Sequence, residues 1–98
     1  MVVAEAQFAT DRASRYLQQL CKHFEHKLPV SFTPQDGRIE FASGVCRLAA
    51  APDRLTLRAE PPDEPALGQL EGVIVRHLER FAFRDPPQIA WRRVADPG

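Results

Sequence analysis

The chain has 98 residues, 44% of them apolar and 27% charged, with thirteen basic and thirteen acidic side chains. That is the make-up of one globular domain covering 1–98, large enough for a single modest core without staples. A net charge of zero leaves no global field to draw the protein to nucleic acid or to an anionic membrane.

Ala4, Ala6 and Phe8 alternate with Glu5 and Gln7, the period of a half-buried strand. Thr10 reads as a helix N-cap, with Asp11 in the first turn, where the helix dipole favours an acid. Ala13, Leu17, Leu20, Cys21, Phe24 and Leu28 then recur at three- and four-residue spacing, which predicts an amphipathic helix ended by Pro29. Strands are expected at Val30–Thr33 and Arg38–Phe41 around a Pro34-Gln35-Asp36-Gly37 turn, then at Val45–Ala50 and Leu55–Ala59. Their inward set is Val30, Phe32, Ile39, Phe41, Cys46, Leu48, Leu55 and Leu57. Asp63 reads as the cap of a second helix, whose stripe is Ala66, Leu67, Leu70, Val73, Ile74, Leu78 and Phe81. Gly68 and Gly72 lie on its other side. Gln88–Val94, with Trp91, reads as a last strand, and Ala95–Gly98 as a frayed tail.

The order β-α-β-β-β-β-α-β implies an α+β two-layer sandwich, an antiparallel sheet with two helices on one face. That architecture is TATA-box-binding-protein-like or helix-grip-like, and it carries no function with it. The two cysteines fall at apolar positions, as buried thiols of a reducing compartment would. Met1–Phe8 lacks the pattern of a signal peptide, and no apolar run approaches the ~18 residues needed to span a bilayer. A cytoplasmic protein is expected.

The two helices carry all three histidines. On the first, His23 lies about 90° from the centre of the apolar face, near Tyr16, and His26 lies further round toward solvent. On the second, His77 sits within the apolar stripe, where it should be neutral and hydrogen-bonded. Two readings follow. In one, His77 is a satisfied core histidine and His23 a half-exposed surface residue. In the other, Tyr16, His23, His77 and Arg80 line a polar pocket for a small anion, or for a metal with Cys21 or Glu79 assisting. Spacing fixes no third ligand, so no metal site and no cofactor are assigned. Phe83 and Arg84 are the candidates for contact with a partner protein.

Arg38, Arg47 and Arg58, joined by Arg92, fall on the outward sheet face. Glu40 interrupts them and few aromatics interleave, so that face reads as solvated or as a homodimer surface rather than as a nucleic-acid site. No nucleophile elbow, P-loop or dinucleotide fingerprint is present, and no catalytic residue is assigned. The expected function is a non-enzymatic binding or accessory module. The alternatives are a small histidine- or metal-dependent enzyme and a homodimeric interaction domain.

Arg15-Tyr16-Leu17, Gln19-Leu20, Lys22-His23-Phe24 and His26-Lys27, followed by His77-Leu78 and Arg80-Phe81-Ala82-Phe83-Arg84, resemble the DUF2218 family, a prokaryotic domain of unknown function. The Ala6–Thr10 run and Ile89-Ala90-Trp91 fit the same pattern, while Asp85 stands where Glu would be expected. The resemblance implies a bacterial protein and, through siderophore-interacting relatives, an iron-uptake context. It brings no catalytic residues.

Overall fold

The computed structural model describes residues 3–61, 64–81 and 91–93, without the side chains of Glu64, Phe81 and Arg93. Among the described residues, eight elements run in the order β1 (Ala4–Ala9), α1 (Ala13–Phe24), β2 (Val30–Phe32), β3 (Asp36–Phe41), β4 (Gly44–Ala51), β5 (Arg54–Glu60), α2 (Glu64–Phe81) and β6 (Arg92–Arg93). The strands form one sheet in the order β2-β3-β4-β5-β1-β6. Every pairing is antiparallel, so the fold is α+β.

The register follows from alternation. Val30, Ile39, Cys46, Ala59 and Ala4 face one another across five strands, and Phe32, Gly37, Leu48, Leu57 and Ala6 form the next inward row. Ile39, Cys46, Leu55, Leu57 and Ala59 are fully buried. They meet Leu17, Leu20 and Cys21 from α1 and Leu70, Ile74 and Leu78 from α2 in one apolar cluster. A period-two face and two period-3.6 stripes thus close on each other, and burying that apolar surface drives the assembly. Val30, Phe32 and Phe41 complete the inward set at its partly buried rim. Trp91 packs there as well.

Three local expectations need correction. The cap of α1 is Arg12, not Thr10, so the helix has no acid in its first turn. The backbone N–H of Thr10 is held by the Asp53 carbonyl at 3.0 Å, and its hydroxyl accepts from the Arg12 N–H at 3.0 Å. The strand therefore continues to the β4–β5 hairpin before the helix can begin. At its other end α1 stops at Phe24, whose carbonyl accepts from the N–H groups of both Lys27 and Leu28. Lastly, Asp36 and Gly37 belong to β3. The turn before them is organised by Thr33, whose hydroxyl accepts from the N–H groups of Gln35 and Asp36.

Gly37 has a packing reason instead. A Cβ there would lie 2.8 Å from Cys21 Sγ and 3.3 Å from Leu17 Cδ2, so its missing side chain lets α1 sit down on the sheet. Gly44, the first residue of β4, has φ of 137°, and a Cβ there would meet the Pro61 and Glu60 backbone. The expected cap Asp63, the expected tail 95–98 and most of the expected strand 88–94 lie outside the described residues. No helix among the described residues is long and apolar enough to cross a membrane.

Candidate functional site

The last turn of α1 carries Lys22 and His23. The next residue, Phe24, is buried and anchors this helix end: its ring meets Phe41 edge-on, with centroids 4.8 Å apart. His23 projects from the same turn and touches the Phe24 ring edge-on at 5.0 Å. From α2, His77 reaches the same spot, 4.8 Å from Phe24. The two imidazoles lie 5.1 Å apart, tilted by 47°. The sequence places each histidine on its helix, and the packing of α1 against α2 brings them together.

A hydrogen bond fixes the orientation of His77. Its Nδ1 lies 2.7 Å from the Val73 carbonyl one turn earlier. A carbonyl only accepts, so Nδ1 carries the proton and Nε2 is the ring's remaining polar atom. His77 is half-buried rather than buried in the stripe. His23 is exposed, yet its pKa is lowered from the ordinary histidine value. Local desolvation is the largest cause, followed by His77, then the Arg80 and Lys27 cations. Arg80 stands on α2 one turn after His77, and its side chain is exposed.

The remaining expected site residues fall elsewhere. Tyr16 is buried in the core, its ring stacked on Phe8 at 5.8 Å and 18°. It sits two helical turns, ~10 Å of rise, before His23. The aromatic partner at the end of β1 draws it inward. Phe83 and Arg84 lie outside the described residues. Cys21 and Cys46 are buried thiols. Burial, with Glu25 adding to it, pushes Cys21 up to about 11, and burial also raises Cys46. Among the described residues no three His, Cys, Asp or Glu side chains gather into a metal-binding group.

Sequence reasoning missed Phe41 at this cluster. The inward alternation of β3 placed Phe41 in the core, but its position beneath Phe24 depends on how α1 crosses the sheet. Lys27, which helical spacing places beside His23, joins the cluster through its charge. A separate concavity of about 610 Å³ opens on the outer sheet face, lined by Arg38, Arg47 and Arg58.

Fold and cluster together define a small α+β protein with a polar, aromatic-floored corner between two helix ends. The chain belongs to the DUF2218 family, whose model, described as an uncharacterized protein conserved in bacteria, matches residues 5–92. It is similar to the solved NMR structure of PA4090 from Pseudomonas aeruginosa. The two are 37% identical over 94% of this chain and 96% of that one, with a TM-score of 0.80. No curated protein matches the chain.

Proposed function

We propose that this protein is a non-enzymatic binding or accessory module that takes a small anion at the His23–His77 corner, with Arg80 and Lys27 supplying charge. The observation that carries the reading is the 5.1 Å approach of the two imidazoles at a helix end where desolvation first, then His77, Arg80 and Lys27, lower the pKa of His23. An anion placed among these groups would offset that repulsion and favour protonated His23. The Arg80 guanidinium would then orient it. The cytoplasmic assignment is supported by two buried thiols, which a reducing compartment preserves. The iron-uptake setting implied by the family resemblance would present the ligand as a negatively charged iron chelate. The strand and helix order supports the TATA-box-binding-protein-like or helix-grip-like architecture.

Thermal unfolding in sulfate, against sodium chloride of equal ionic strength, tests the anion site. At ten times Kd, sulfate would stabilise the parent by about 1.4 kcal/mol, a rise in Tm of about 7 °C. His23→Ala and Arg80→Ala should lose most of that rise while keeping their own Tm near the parent's, because both side chains are exposed. Equal stabilisation of all three proteins would sink the reading.

A further inference from the structure

The outer face of the sheet, away from both helices, carries one row of side chains that crosses the six described strands in register: Ser31, Arg38, Arg47, Arg58, Glu5 and Arg92. Neighbouring strands are ~4.8 Å apart, so Arg38, Arg47 and Arg58 stand within ~10 Å. The 610 Å³ concavity opens over these three. Small-molecule sites occupy roughly 300–1,000 Å³.

Arg47 and Arg58 already share one carboxylate. Glu60 Oε1 lies 3.0 Å from Arg47 Nε, and Oε2 lies 2.9 Å from Arg58 Nε. The Arg47 N–H donates to Glu60. The Arg58 Nε–H is in charge contact but off line, and it completes no hydrogen bond among the described residues. One negative charge thus spans two positive ones, through one nitrogen of each guanidinium. Each guanidinium has four further N–H donors.

The two sides of this arginine pair differ. Toward the ends of the strands lies Glu60. In the other direction the next outward row places Ala49 opposite Thr56, and both line the concavity. Small side chains there leave space beside the guanidiniums. Other charges limit what fits. Arg38 pairs with Glu40 at 3.0 Å, Glu5 faces Arg58 in register, and Asp36 stands on the rim. Glu5, Asp36, Glu40 and Glu60 balance Arg38, Arg47, Arg58 and Arg92, so the face has no excess positive charge for a polyanion, and a single carboxylate would be held by the remaining guanidinium N–H donors.

We infer that the concavity binds a small organic acid. One carboxylate spans the terminal nitrogens of Arg47 and Arg58, as Glu60 spans their Nε atoms, and a flat apolar body lies over Ala49 and Thr56. This site does not depend on the helix-end corner.

Benzoate is the probe, titrated into the isotopically labelled protein and followed by NMR. Benzyl alcohol and sodium chloride serve as controls for the ring and for ionic strength. Saturable shifts are expected at Arg47, Ala49, Thr56 and Arg58 with benzoate alone. Arg47→Gln and Arg58→Gln should each weaken binding about five- to tenfold. Ala49→Leu, which fills the space and leaves both arginines in place, should abolish it. The proposal fails if benzoate at tens of millimolar gives no saturable shift, or if the three variants bind like the parent. It also fails if the shifts appear only around His23 and His77, an outcome that would support the helix-end corner instead.

Discussion

The His23 and His77 imidazoles approach to 5.1 Å on a floor made by the Phe24 ring, which touches both. Two histidines from different helices therefore share an environment with Arg80 and Lys27, and protonating His23 works against local desolvation first and neighbouring positive charge second.

A pH dependence of stability follows from this. In the folded protein the pKa of His23 lies below its unfolded value of 6.5. Below 6.5 the unfolded chain therefore binds the proton more readily, and stability present above that pH is lost as pH falls through the folded pKa. Urea unfolding at about pH 7.5 and pH 5 should show a smaller loss in His23→Gln than in the parent. An equal loss would mean that His23 is not the group responsible.

Gly68 and Gly72 give a test of opposite sign. A Cβ at either position meets nothing within 4 Å, and both are inside α2. Ala at each should stabilise by about 0.5–1 kcal/mol through helix propensity and a less flexible unfolded chain. Denaturant midpoints of the single and double variants check this. A fall in midpoint would show that these glycines answer to a contact beyond the described residues.

Gly37→Ala should destabilise by about 1–3 kcal/mol. The new methyl would press on Cys21 Sγ at 2.8 Å and on Leu17 and Leu48 at 3.3 Å, beneath the centre of α1. Cys21→Ala in the same chain should relieve part of the strain, and a double-mutant cycle measures how much. Purely additive effects would contradict the contact.

Thiol alkylation at neutral pH should be slow for both cysteines. Burial holds Cys21 near 11 and raises Cys46 as well, so the nucleophilic thiolate is scarce as well as shielded. Modification should track unfolding and accelerate in urea. Rapid labelling of the native protein would place a cysteine at the surface.

Much of this could be read along the chain, because alternation and helical spacing are local. The stripe of α1 and the inward residues of β3, β4 and β5 are cases where one face simply meets a core. The misreadings arise where distant segments decide. Thr10 and Asp11 have the chemistry of a helix start, but the Asp53 carbonyl across the sheet claims the Thr10 N–H. Asp36 and Gly37 have turn chemistry, yet pairing with Ala49 and Leu48 carries them into a strand. Tyr16 lies on the same side of the wheel as His23, and stacking on Phe8 takes it into the core. The hold of Glu60 on Arg47 and Arg58 needs the β4–β5 register, which no single stretch of sequence contains. The meeting of His23 with His77 depends in the same way on how two helices pack.

The most direct test of the helix-end site is an NMR titration of the His23 ring in chloride and in sulfate at equal ionic strength, since sulfate does not titrate in this range. The expected pKa is below 6.5 in chloride and rises in sulfate, with the rise lost in Arg80→Ala. A His23 pKa that is the same in both salts would contradict anion binding at this corner.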